Sequence, residues 1–134
     1  MTQYSTAARN GMLDSLETTL GASARLQVYS GAAPASCAAA PTGTKLLEIA
    51  LAADWAGAAA AAAKALTGTP LATTALAAGT VGYYRFVDAA GTTCHAQGPA
   101  SQTGGSGEVT FDNGTFTAGQ NVSVTGYQFT VAGG

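Results

Sequence analysis

Charge is what this 134-residue sequence has least of. Lys plus Arg number 5 and Asp plus Glu 7, together 9% of the chain, against about 25% in an average soluble domain. A surface so short of charge is poorly solvated by itself. It implies either an exterior largely covered by partner chains, which we favour, or a small β domain solvated by Thr, Ser and Gly. The basic residues Arg9, Arg25, Lys45, Lys64 and Arg85 are scattered, and the net charge is −2. Phosphate-backbone binding needs clustered Lys and Arg, so no nucleic-acid partner is expected. Long apolar runs are also lacking. The blandest stretch, 49–66, is mostly alanine and is interrupted by Asp54 and Lys64. It falls short of the ~20 strongly apolar residues of a membrane span. The opening MTQYSTAARN has no basic-then-apolar signal. The expectation is a soluble protein made in the cytoplasm, with no membrane partner.

Reactive side chains are equally few. The two cysteines, Cys37 and Cys94, lie far apart. One disulfide is open to them, but cytosolic synthesis favours free thiols. The lone histidine, His95, is the sole candidate for histidine-based catalysis. Its neighbour Cys94 points to the opposite face of a strand. A dyad with Cys37 would have to form across space, and a partly exposed strand histidine is the simpler reading. Cys37, Cys94 and His95 lack the C-x-x-C spacing of zinc sites. Glu48, Asp54, Asp88, Glu108 and Asp112 contain no marked pair of the glycosidase kind. The run Gly104-Gly105-Ser106-Gly107 lacks the Lys-Ser/Thr of a phosphate loop and reads as a flexible turn. No enzyme, cofactor or metal is therefore expected. Tyr29, Trp55, Tyr83, Tyr84 and Phe86 are candidates for a sugar-stacking platform but are more simply core and interface aromatics. Arg85, between Tyr84 and Phe86, faces away from both. It must be paired if buried, and otherwise reads as a rim arginine at a subunit contact.

What is present is β pattern. The chain is organised around residues 81–98, VGYYRFVDAAGTTCHAQG. Residues 81–87 suit a pleated, half-buried surface. Residues 88–91 form a turn closed by Gly91, and 92–97 run back. Before this hairpin, Ser5 or Thr6 caps a helix in which Ala8, Met12, Leu13, Leu16 and Leu20 share one face. Asn10, Asp14, Glu17 and Thr18 lie opposite, and Gly21 is the stop. Residues 25–30 alternate, 31–44 form a long Ala/Pro/Gly connection, and 45–52 alternate again. The alanine run 58–63 is open between a short helix, favoured by propensity, and an extended segment; we read it as extended. Residues 67–80 read as a Thr/Gly/Ala linker with room for one short strand.

After the hairpin come a Gly/Ser/Thr loop over 99–107, a short strand at 108–111, and an Asp-Asn-Gly turn at 112–114. The last strand, 121–132, changes phase: Val122 and Val124 share one parity, Tyr127, Phe129 and Val131 the other. Such a shift predicts a β-bulge at Thr125-Gly126. The length fits a single domain, 1–134, with an arm and helix over 1–22 and β structure over 25–134. The expected fold is mostly β: an antiparallel β-sandwich, jelly-roll-like, preceded by one N-terminal α-helix.

Several segments carry a family resemblance: STAARNGMLDSL, ARLQVYSGAAP, LLEIAL, GTVGYYRFVDAAGTT and AGQNVSVTGYQFTV. Together these segments, spread over nearly the whole chain, resemble the small capsid decoration (cement) proteins of tailed bacteriophages. The resemblance implies a non-enzymatic virion structural protein on the capsid exterior. Such a protein clamps adjacent major capsid protein subunits and often works as a homo-oligomer, a dimer or trimer. The alanine run 58–63 departs from the Gly/Ser/Thr mix expected there. Termini and loops reach neighbours without breaking sheets. The expected partner contacts are thus the arm (Met1, Thr2, Gln3, Tyr4, Ser5, Thr6), the 31–44 loop (Pro34, Pro41), the 101–107 loop (Gly104, Gly105), and Trp55 and Arg85. A tail or head–tail accessory protein is the alternative, and a surface carbohydrate-binding module the second alternative.

Overall fold

The chain begins with the one helix among the described residues, α1 (Thr6–Leu20). The structure, a computed structural model, describes residues 2–21, 23–51, 56–65, 71–105 and 107–130. Ser5 is extended, and its hydroxyl accepts the Ala8 N–H at 3.1 Å. This is the capping geometry that satisfies an orphan first-turn donor. Gly21, at φ +79°, ends the helix and returns its N–H to the Glu17 carbonyl. Leu13 and Leu20 are buried and Leu16 packs against the core. Ala8 is exposed and Met12 is 39% exposed, so the expected apolar face is rotated. The cause is polar: Asn10, Asp14 and Glu17, placed by pattern on the solvated side, are drawn onto the body of the protein.

Nine strands follow among the described residues: β1 (Arg25–Ser30), β2 (Lys45–Ala50), β3 (Ala63–Ala65), β4 (Leu71–Thr74), β5 (Gly79–Val87), β6 (Cys94–Gln102), β7 (Val109–Phe111), β8 (Thr115–Phe116) and β9 (Asn121–Thr130). They hydrogen-bond in the order β2-β1-β5-β6-β7-β9-β3, with β4 on β9 and β8 on β5. The fold is mostly β, with a nearly closed sheet. The inner face carries Leu26 and Val28 of β1, Leu47 and Ile49 of β2, and Tyr84 and Phe86 of β5. They pack in one cluster with Val109, Phe111, Phe116, Val122 and Val124. Full burial of such side chains is worth roughly 1.5–3 kcal/mol each, which makes this cluster the main support of the fold. No described helix is long and apolar enough to cross a membrane.

The β5–β6 hairpin forms where the pattern predicts it. Gly91 sits at φ +77°, and the Asp88 carboxylate accepts the N–H groups of Thr92 and Thr93 at 3.0 and 3.3 Å. Those two amides hold the Asp88 carboxyl below its usual range. β6 then continues through Gln102, where a loop was expected from residue 99. Pro99, which has no N–H, stands where β6 leaves β5 and takes up β7. The β6–β7 pair is parallel, so the sheet is mixed and not wholly antiparallel. The overlap is short enough for the 103–108 loop to return the chain. A Cβ at Gly107 would run into the backbone of Ala100 and Ser101.

β9 bulges as predicted. Thr110 pairs with Gly126 and Phe111 with Val124, which leaves Thr125 as the extra residue. The alanine run is extended and reverses. Ala60 and Ala63 exchange both backbone hydrogen bonds at 2.9 Å, around Ala61 and Ala62 at φ +51° and +61°.

Candidate functional site

Two assemblies of polar side chains stand outside the core. The first fastens the helix. Lys64 of β3 is 2% exposed at its side chain, and its ammonium lies 2.8 Å from both Asp14 Oδ1 and Glu17 Oε2. It also donates to the Gly57 carbonyl at 2.7 Å. Asp14 Oδ1 accepts the Ala59 N–H at 3.0 Å, and Asn10 Oδ1 accepts the Ala62 N–H at 2.8 Å. Bonds from Lys64 and the Ala59 amide hold the Asp14 carboxyl below its usual range. Burial pulls the Lys64 ammonium down, but its two carboxylate partners outweigh it and raise it.

The second assembly is a strap. Residues 31–44 leave β1, cross the outer face of the sheet and return to β2. The outward parity of β5 and β6 holds them down. Tyr83 Oη accepts the Thr42 N–H at 2.8 Å and donates to the Thr42 carbonyl at 2.6 Å. Arg85 Nη2 donates to the carbonyls of Cys37 and Ala39 at 2.7 and 2.8 Å. Gln97 Nε2 donates to the Pro34 carbonyl at 2.8 Å. Cys37 is joined to Cys94 of β6 by a disulfide. Where the strap begins it passes so close to β5 that a Cβ at Gly82 would overlap the Gly31 carbonyl. Beside these anchors, the Tyr29 and Tyr83 rings stack at 5.2 Å. Tyr29 donates to Gln27, and Gln27 to Glu48, which also pairs with Arg25 and Lys45. Burial first, with its neighbour Tyr83, raises the Tyr29 phenol above its usual value.

These contacts correct two expectations and bear out the core reading of four of the five aromatics. The cysteines are not free thiols. They are 57 residues apart in sequence yet opposed across the strap, and an oxidised Cys37 cannot serve a dyad with His95. Arg85 is 4% exposed and sits beneath the strap, not at a rim. Among the described residues no carboxylate pairs with it, so carbonyl dipoles alone stabilise its charge. Tyr29, Tyr83, Tyr84 and Phe86 are buried and offer no stacking platform; Trp55 lies outside the described residues.

The expected contact residues lie on separate segments of the chain. Thr2, Gln3, Tyr4 and Ser5 form an exposed arm that leads into the exposed Thr6, and Met1 lies outside the described residues. Pro41 is exposed on the strap, and Pro34 is half-buried with its carbonyl bound to Gln97. Gly104 and Gly105 are exposed at the loop between β6 and β7. Pattern reading missed the Lys64 clamp and the Tyr83-Arg85-Gln97 anchors. The available signal was a set of large polar residues on the strand parity opposite the core.

Among the described residues no three His, Cys, Asp or Glu side chains are grouped to hold a metal ion. Charged side chains are instead tied down within the molecule. Arg25, Lys45 and Glu48 form one cluster, and Lys64, Asp14 and Glu17 another. Asp88 closes its turn, Asp112 accepts the Ser123 N–H, and Glu108 accepts from Tyr84. Arg9 is likewise engaged. No protein-family model, curated protein or solved structure matches the chain.

Proposed function

We propose that this chain is a capsid decoration protein of a tailed bacteriophage. In this reading it is a virion structural protein that binds the capsid exterior and clamps adjacent major capsid protein subunits, as a dimer or trimer. The nearly closed sheet then serves as a jelly-roll-like sandwich, a rigid block between neighbours. The observation that carries the reading is the fate of the charges. Every described charged side chain has a partner within its own molecule. Much of the remaining surface falls to Ala, Thr, Ser, Gly and Pro, with Tyr4, Met12 and Leu76 exposed among them, and such a surface gains by being covered. The exposed arm at Thr2–Ser5, with Tyr4 41% exposed, is the element free to reach a neighbouring subunit. The resemblance of the segments quoted above supports the same role.

A partner that binds only the assembled shell stabilises it by mass action. Particles carrying the protein are therefore expected to rupture at a higher temperature than particles stripped of it. They are expected to hold it at a copy number comparable with that of the major capsid protein. Equal rupture temperatures, or a few copies at one vertex, would overturn the reading and favour a tail or head–tail accessory part.

A further inference from the structure

We propose that the Cys37–Cys94 bond is a redox latch. Reduction frees the strap, residues 31–44, from the sheet and uncovers Arg85; reoxidation closes it. The inference concerns the isolated chain and does not rest on the shell reading.

The strap is held in an unusual way. None of residues 31–44 is buried, so apolar burial contributes little to its docking. Its own side chains are Ala, Pro, Ser, Thr and Gly apart from Cys37. It is attached by backbone groups to four side chains of the sheet, Tyr83, Arg85, Gln97 and, at its end, Ser30, by the backbone bond from Ser30 to Thr44, and by one covalent bond. The surface beneath it is polar. Arg85 is a buried cation capped by carbonyls, and among the described residues it has no carboxylate partner. Arg85 Nε and Gln97 Oε1, neighbours across the β5–β6 ladder, are both buried without a hydrogen-bond partner. Water would satisfy all of these groups better than the closed strap does. Opening also returns backbone freedom to a long, Gly-containing loop. Against hydration and entropy stand a few hydrogen bonds that water can replace. The covalent tie from Cys37 to β6 tips the balance towards closure, because it forbids the middle of the strap to leave.

The chemistry needs a dithiol reductant. One of its thiolates attacks a sulphur of the Cys37–Cys94 bond, forms a mixed disulfide and expels the other cysteine as a thiolate. The second thiol of the reductant then closes on the first and releases the remaining cysteine. Two electrons and two protons pass to Cys37 and Cys94, and the reductant leaves as a cyclic disulfide. Both cysteines are half-exposed, which gives the reagent access. In a reducing cytoplasm the strap is open, and in an oxidising medium it is closed.

Hydrogen exchange on the full chain, with and without dithiothreitol, tests the latch. Reduction is expected to speed exchange of the strap amides that bond the sheet, Thr42 and Thr44, about tenfold or more through a local opening that does not grow with added denaturant, while amides of β1, β5 and β6 still exchange only through global unfolding, at the lower stability that loss of the bond gives the fold. The Cys37→Ser/Cys94→Ser chain is expected to show the same local pattern without reductant. Three outcomes overturn the proposal. In the first, strap exchange is equal in both redox states. In the second, the native protein does not yield its disulfide to dithiothreitol. In the third, the strap amides exchange with the same denaturant dependence as those of β1, β5 and β6, which would make the bond a support of the fold as a whole and not of the strap.

Discussion

Two alanines at positive φ hold the tightest reversal among the described residues. Ala61 and Ala62 take the centre of a two-residue hairpin turn that is normally filled by Asn-Gly or a similar pair. An L-residue in this conformation costs roughly 1–2 kcal/mol. Ala61 is exposed, so Ala61→Gly removes the penalty without opening the core. The variant is expected to be more stable by about 1 kcal/mol in urea titration, at unchanged m value. The same residues show the limit of local reading. The run 58–63 reads as extended from its β context, and it is so only on either side of the turn at Ala61-Ala62. No Gly, Asn or Asp marks a turn within it, so the reversal was invisible. What forces it is Asn10, whose side chain accepts the Ala62 N–H from 52 residues away.

At the scale of the element, the helix is a polar attachment as much as an apolar one. The Asp14 carboxyl lies below its ordinary value of 3.8 because Lys64 and the Ala59 amide bond its ionised form. A carboxyl lowered by folding adds stability above its unfolded value and loses it as pH falls through the folded one. Lys64 is the mirror case. Its ammonium lies above 10.5, so its contribution is full below that value and fades as pH climbs through the folded one. Helix docking is therefore strongest between these limits. Below about pH 4, amides of α1 are expected to lose hydrogen-exchange protection before those of β1 and β5, and Lys64→Met is expected to flatten this response. Simultaneous loss in helix and sheet would show that the clamp does not govern docking. The bulge in β9 is a second element with a sharp consequence. Deleting Thr125 would turn one half of β9 over relative to the other, putting either Val122 and Val124 or Tyr127 on the wrong face. A loss of about 3 kcal/mol or more is expected, read from the denaturation midpoint. This bulge was legible because the side-chain parity of a strand records it directly. The rotation of the helix was not, because Met12 and Leu13 are equally apolar and the distant Lys64, Ala59 and Ala62, which bond Asp14, Glu17 and Asn10, decide which turns inward.

For the whole molecule, the disulfide is the longest covalent constraint. It closes a loop of 57 residues, for which chain entropy predicts about 4 kcal/mol of stabilisation. The Cys37→Ser/Cys94→Ser chain is expected to unfold at lower denaturant by about that amount while the sheet remains folded in buffer. Composition and pattern determined by themselves that this chain is mostly β with one leading helix, where its central hairpin turns, and where its last strand bulges. Each of these depends on neighbours within a few residues, which is what a strand or helix period samples. Tertiary structure alone decided that Arg85 lies beneath a strap, that Cys37 meets Cys94, that Lys64 joins two helix carboxylates, and that β6 and β7 run parallel. The partners in the first three cases lie about 50 residues apart in sequence. The parallel pair turns on which strand β6 meets once it leaves β5. No local preference encodes a meeting between distant segments; closure of the sheet brings them within bonding distance.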